Sequence, residues 1–301
     1  MSYVEEQRAR TVSIRDEIFN DAGQGIYKNI PREFVLSNSS KNLWQDFRED
    51  AITYFKNKNI KWWDGHNGLP TGHLLSSQVA CINHLFLLRN NKSLACAILK
   101  SIDQEFIDAE IVDDGYVEFE FIGEKQYLKE RAFRRGEHCT SIDAVMIGRR
   151  RDQKKVMILI EWKYTESYGV EDKYIPRRAK VYDHLLTDEA SPFNKTELHG
   201  FYYEPFYQMM RQTLLASGII KNNDHGCEDY LHLHIVPKGN LELLNTITSP
   251  YLHGSSITEV WKSLLKEPAK YRGLSPEEFM NPLIGNTAYE PFVNYLRKRY
   301  W

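Results

Sequence analysis

Residues 156–164, VMILIEWKY, constrain this chain more than any other stretch. Five apolar residues run without interruption into Glu161 and Lys163, which stand two positions apart. Such a run reads as a buried strand. Side chains at i and i+2 leave the same face of a strand. A carboxylate and an ammonium therefore share one face where a buried element ends. An unpaired buried charge is costly, so the two either neutralise each other at the end of the sheet or share a task.

Neighbouring segments suggest the sheet that would hold this strand. Residues 116–123 (YVEFEFIG) and 140–148 (TSIDAVMIG) read as strands, and 149–154 (RRRDQK) as the turn between the second of them and the strand 154–164. Residues 39–58 place Leu43, Phe47, Ala51, Tyr54 and Phe55 on one helical stripe, with Ser40 as expected N-cap. A Gly- and turn-rich break follows at 62–73. A helix is expected over 74–90, where Gln78 shares a face with Cys81, Ile82 and Leu85 and so needs a polar partner. The long stretch 165–200 reads as irregular or partly helical. Residues 203–218 read as a helix stopped by Gly218, and 230–237 (YLHLHIVP) as a strand. Ser256–Glu259 and Ser275–Glu278 are spaced as capping boxes, which makes the tail helical. The core order is helix, three strands, helix, strand. That is an α/β layer with a mixed central sheet flanked by helices, and helical additions at both ends. The expected division is a helical extension over 1–72, the α/β core over 73–240 and a second helical extension over 241–301 packed on the core, the whole forming one compact domain.

Composition excludes several classes. With 301 residues, 42% hydrophobic and 27% charged, the chain is an ordinary globular protein rather than a disordered or repetitive one. The N-terminus is charged and lacks the apolar stretch of a signal peptide. No apolar run approaches membrane-spanning length, so no membrane partner is expected. Cys81, Cys96, Cys139 and Cys227 form no CxxC pair and read as reduced thilols of a cytoplasmic protein. A net charge of −2 argues against coating nucleic acid by bulk charge. Residues 129–180 nevertheless hold 14 Lys and Arg against 8 Asp and Glu. No P-loop pattern is present.

The strand 140–148 carries Asp143. A symmetric hairpin that sets Gly148 opposite Val156 also sets Asp143 opposite Glu161. Opposed Cα atoms in an antiparallel pair lie about 4.5–5.5 Å apart, and two like charges that close repel unless a cation intervenes. Two carboxylates and a backbone carbonyl make an all-oxygen site that suits Mg2+, with Mn2+ as a substitute. A nearby ammonium can stabilise charge on an attacking water or a phosphorane-like transition state. These parts suit metal-assisted phosphodiester hydrolysis.

Asp143 followed by Glu161-Trp162-Lys163 resembles the PD-(D/E)XK nuclease superfamily, whose members place an Asp on one strand and E-x-K on its hairpin partner. Together with SSQ (76–78), TSIDA, IEWKYTESY and YQMMRQTLLA, the pattern resembles a group of bacterial proteins classed as restriction endonucleases. Where the superfamily places a Pro before the Asp, this chain has Ile142. The resemblance implies a helix–three strands–helix–strand core, Mg2+-dependent cleavage of DNA, and a metal held by Asp143, Glu161 and the Trp162 main-chain carbonyl. It also implies that Lys163 acts at the reacting phosphate and that Gln208, on the following helix, supports the site. Gln78 stands where many members carry a metal-reaching Glu. Arg177, Arg178, Lys180 and Arg211 are candidate nucleic-acid contacts. Tyr164 either positions Lys163 or stacks on a base, and Arg149, Arg150 and Arg151 at the hairpin tip are weaker candidates. His232 and His234 alternate on one strand face and read as polar-face residues before metal ligands. RNA as substrate stays open, as does a homodimer. The rival class is a nuclease-fold protein that binds or assembles without cutting.

Overall fold

A strand of uninterrupted apolar residues needs a packed layer on each of its faces, and the computed structural model supplies both. It describes all residues except 134 and 136–138. Arg134 and Glu137, two of the charges counted in the basic stretch, lie outside the described residues.

In chain order the elements are α1 (Tyr3–Phe19), the hairpin β1 (Gly25–Tyr27) and β2 (Ile30–Arg32), α2 (Arg48–Asn57), α3 (Ser77–Arg89) and α4 (Lys92–Ile102). Then come β3 (Phe106–Glu110), β4 (Glu118–Phe121), β5 (Ile142–Arg150), β6 (Lys155–Trp162), α5 (Pro176–Thr187), α6 (Phe206–Lys221) and β7 (Asp229–Ile235). The last are α7 (Leu241–Asn245), α8 (Ile257–Leu264), β8 (Tyr271–Leu274), α9 (Pro276–Phe279) and α10 (Glu290–Arg299). Six strands form one mixed sheet. Its path is β3-β5-β6-β7-β8, with β4 and β3 sharing one edge of β5 end to end. β5 and β6 are antiparallel, whereas β6, β7 and β8 run parallel.

Alternation along β5 and β6 divides the interior. Ala144, Met146, Ile158, Ile160 and Trp162 pack with α3, α4 and α10 on one side. Val145, Ile147, Met157 and Leu159 pack with α6 and α8 on the other. Each such aliphatic side chain contributes about 1.5–3 kcal/mol by leaving water, and this offsets the cost of the charges at the end of β6.

The helices begin where their caps dictate. Ser76 Oγ accepts the Val79 N–H at 3.3 Å and starts α3. Ser275 and Glu278 form the reciprocal box expected of them. Ser256 caps α8, but the Glu259 side chain turns to Ser255 instead of completing a box. Ser40 is not an N-cap: Asn38 closes a short 3-10 turn over Ser39–Asn42, and the α-helix begins only at Arg48. Leu43 and Phe47 are still buried, through turns rather than a continuous helix. Gly218 does not stop α6, which runs on to Lys221. Its missing side chain serves packing, since a Cβ there would meet Tyr127 Cβ at 2.8 Å. α4 and β3 were not anticipated, and neither terminal addition is purely helical: the first holds the β1–β2 hairpin, and the second supplies β8, which pairs with β7 at the sheet's edge.

Candidate active site

The β5–β6 register places the charges. Pairs from Gly148↔Val156 to Ala144↔Ile160 keep one spacing, so the next residues, Asp143 and Glu161, fall opposite each other. On the other edge of β5, Phe119↔Ala144 and Phe121↔Ile142 bracket Glu120, which falls opposite Asp143. Glu161 in turn is paired with His234 on β7. Three carboxylates on three adjacent strands thus stand in one row, with an imidazole next in line. Glu120 has φ +51°, in the left-handed region. Non-glycine residues there are uncommon and often mark function.

Each member of the row is held. The Trp162 N–H donates to Asp143 Oδ2 at 2.7 Å. Gln78 Nε2 donates to Glu120 Oε1 at 2.8 Å, and Ser141 Oγ donates to Glu120 Oε2 at 3.2 Å. Glu161 is only 1% exposed. Its Oε1 lies 2.5 Å from Lys163 Nζ, and its Oε2 accepts from Gln212 Nε2. Lys163, 5% exposed, also donates to Gln208 Oε1 at 2.6 Å. Gln208 and Gln212 are one turn apart on α6, so one helix face clamps both charges of the E-x-K segment. Gln212 Oε1 is buried and has no hydrogen-bond partner among the described residues.

The row is electrostatically unbalanced. Burial raises the Asp143 carboxyl well above the usual range, and the charges of Glu161 and Glu120 raise it further. Burial also raises Glu120, and Glu161 adds to it against the hydrogen bonds from Gln78 and Ser141. The thiol of Cys81 is pushed up by burial, then by Asp143, Glu120 and Glu161 in turn, so it senses all three carboxylates. Burial alone would lower Lys163, but Glu161, then Tyr168, Glu166 and Asp143, hold its ammonium well above the ordinary value. Among the described residues one ammonium thus faces three carboxyl groups, with the Arg135 guanidinium acting on Glu120 from further off. Among the described residues no three His, Cys, Asp or Glu side chains form a ready-made metal cage. Mg2+ does not require one, since it keeps several waters and takes one or two carboxylates. The hard oxygen donors and their mutual repulsion fit such an ion.

Glu120 and Asp143 line a cleft of about 410 Å3 together with Gln78, Thr165, Glu166, Tyr27, Trp63 and His73. Gln78 is committed elsewhere: its Oε1 accepts the Trp63 N–H at 2.8 Å and its amide orients Glu120. The carboxylate that reaches this position comes from β4. Glu120 was not singled out from the sequence, although its place in the alternation of 116–123 was visible. Gln212 was missed in favour of Gln208, although the two share a helix face.

Tyr164 corrects the sequence reading. It is 1% exposed, its hydroxyl donates to Gln7 Oε1 at 3.3 Å, and its ring lies edge-on to Tyr300. If Glu161 and Lys163 face α6, alternation sends Trp162 and Tyr164 into the opposite layer, where no base can reach. At the hairpin tip Arg149 pairs with Glu110 at 2.6 Å and Arg150 with Asp103 at 3.0 Å, while Arg151 lies 3.9 Å from Glu105. They fasten the sheet's edge. His232 and His234 are buried and neutral, with burial lowering both, and their Nδ1 atoms bond to Thr213 and Tyr271. Arg177, Arg178 and Arg211 do converge, with Arg131, on a hollow of about 180 Å3 beside Tyr207. Arg178 and Arg211 lie over the Tyr207 ring at 5.4 and 4.9 Å. Lys180 is exposed and does not line it.

No curated protein and no solved structure matches the chain. No helix among the described residues is long and apolar enough to cross a membrane. A family described as "Restriction Endonuclease associating with ARP" matches residues 7–301. With all but the first six of its 301 residues matched, the chain belongs to that restriction-endonuclease family.

Proposed function

We propose that the chain is a metal-dependent endonuclease of the PD-(D/E)XK kind that hydrolyses phosphodiesters in DNA. The observation that carries this reading is the row Glu120–Asp143–Glu161 across β4, β5 and β6, with Lys163 Nζ 2.5 Å from Glu161. The order α3, β4, β5, β6, α6, β7, with α4 and β3 inserted after α3 and α5 after β6, is compatible with such a core. Family membership supports nuclease chemistry and DNA as its substrate.

Asp143, Glu161 and the Trp162 carbonyl would hold Mg2+ or Mn2+, with Glu120 beside them at the cleft. A bound ion of this kind supplies a Lewis acid and a more acidic water. Gln78 keeps Glu120 turned toward the cleft. Glu161 and Gln208 fix the Lys163 ammonium, which would stand as a positive charge beside the reacting phosphate. Gln212 holds Glu161 from below. Arg177, Arg178 and Arg211 would contact backbone phosphates and set the strand's path.

One observation favours a second reading, a nuclease-fold protein that binds without cutting. Both Glu161 oxygens are already engaged, by Lys163 and Gln212. Incubating purified protein with plasmid, single-stranded DNA and RNA, each with Mg2+, Mn2+ or EDTA, separates the two. Cleavage of DNA that needs the metal and disappears in Asp143→Ala is expected. Binding without cleavage under every condition would establish the second reading.

A further inference from the structure

The cleft has two unlike sets of walls. Glu120 and Asp143 of the carboxylate row, with Glu166, form one, and Tyr27, Trp63 and His73 form the other. Trp62 is buried and stacked on Phe55, with ring centroids 3.8 Å apart at 12°. That anchors the loop from which Trp63 emerges, 50% exposed. Tyr27 arrives on the β1–β2 hairpin, whose turn residues Lys28 and Asn29 both have positive φ, as a two-residue type I′ turn requires. His73 lies between them, 4.7 Å from Tyr27 and 5.9 Å from Trp63, edge-on to both. Its Nδ1 accepts the Leu75 N–H at 3.2 Å, so the ring is neutral. The two walls are tied together: the Trp63 N–H donates to Gln78, and Gln78 donates to Glu120.

The aromatic wall suits a flat, uncharged ring. Tyr27 and Trp63 are tilted at 45° with centroids 6.5 Å apart, so they do not stack on each other, and Trp63 is the more exposed platform of the two. A cationic guest would meet Lys28, 5.3 Å over the Tyr27 ring, and Arg8, 4.7 Å over the adjoining Phe34. Lys28 and Arg8, beside the cleft lining, favour an anionic chain at the aromatic wall, while Glu120, Asp143 and Glu166 require a cation before a phosphate approaches theirs. A volume of about 410 Å3 suffices for a small organic group.

We propose that the aromatic wall binds an unstacked nucleobase of the strand whose phosphodiester lies at the carboxylate row, with Trp63 and Tyr27 as its stacking platform. The inference rests on the nuclease reading and narrows it: the preferred substrate carries an unpaired or extruded nucleotide. Stacking on an aromatic side chain tightens binding about tenfold per base, which repays part of the cost of taking a base out of a duplex.

The test is fluorescence anisotropy with a labelled single-stranded oligodeoxynucleotide and an abasic strand of equal length, both in EDTA so that no cleavage intervenes. Wild type should bind the base-bearing strand more tightly. Trp63→Ala should weaken that binding about tenfold and leave the abasic strand unaffected, Trp63→Phe should restore most of it, and Tyr27→Ala should behave like Trp63→Ala. Unchanged binding in both alanine variants, or equal losses on both strands, would overturn the subsite. Displacement of the strand by tetramethylammonium at matched ionic strength would also overturn it, in favour of a cage for cations. A melting curve at the wild-type position confirms that each variant is folded. The two readings fail separately. Base-dependent binding by a protein that cuts nothing keeps the subsite and removes the nuclease. Normal cleavage with base-independent binding does the reverse.

Discussion

At the scale of single residues, Glu161 and Lys163 are a buried pair rather than a solvated one, and that changes what a substitution does. An exposed pair contributes about 0–1 kcal/mol. Breaking a buried one leaves an uncompensated charge and costs about 3–5 kcal/mol. Lys163→Met should therefore lower the melting temperature markedly in EDTA, and added Mg2+ should recover part of the loss by neutralising Glu161. Cleavage, assayed well below the melt, should fall on the order of 100–1,000-fold, the usual effect of removing one electrostatic donor. A folded Lys163→Met protein that cuts at the wild-type rate would remove Lys163 from the mechanism. Asp143→Ala should abolish cleavage and weaken Mg2+ binding in calorimetry, with the fold retained. Equal Mg2+ affinity in wild type and variant would place the ion elsewhere.

At the scale of elements, α6 shows how far the chain could be read in advance. Its apolar stripe through Phe206, Met210 and Leu214 was legible because helical periodicity is local. Its end was not, because Gly218 answers to Tyr127, far away in sequence. Ala at 218 would gain about 1 kcal/mol of helix propensity, but overpacking against a fixed neighbour typically costs about 1–3 kcal/mol. Gly218→Ala should thus melt lower than wild type, and a higher melting temperature would show that Tyr127 can yield. The same contrast runs through the site. Register along β5 and β6 follows from one hairpin turn, so Asp143 opposite Glu161 was within reach of the sequence. Glu120 was harder, because its strand is separated from β5 by about twenty residues and its backbone is left-handed. α4 carried a readable stripe, Leu94, Ala95, Ile98, Leu99 and Ile102. β3 did not, being five residues long with a bulge between Phe106 and Asp108. The α5 and α6 arginines make an element-scale prediction too. Arg177→Ala/Arg178→Ala should weaken DNA binding and flatten its dependence on salt. An unchanged slope would mean that they face only solvent.

At the scale of the whole molecule, stability should depend on pH and metal together. Four buried histidines stay neutral in the fold. His73 is lowered to about 4, His84 and His232 to about 3, and His234 well below its ordinary value, burial being the first cause in each. Their folded pKa values lie below the unfolded one. Their contribution is complete above about pH 6.5 and is lost as pH falls, because the unfolded chain binds the extra protons. Asp143, Glu120 and Glu118 act in the opposite direction. Their folded pKa values are raised, so the native state binds protons more tightly and their destabilising effect grows as pH rises from about 4 through the folded values. In EDTA the two sets partly cancel between pH 5 and 7. A divalent ion at the row would remove Asp143 and Glu120 from the second set by taking the place of their protons, and the histidine slope would then emerge, at about 1.4 kcal/mol per pH unit for each proton in excess. The melting temperature should therefore fall more steeply from pH 7 to pH 5 with saturating Mg2+ than with EDTA, and the gain from Mg2+ should be larger at pH 8 than at pH 6. Parallel curves with and without the metal would mean that the ion does not exchange with protons at this row, and the site would then have to be sought away from Asp143.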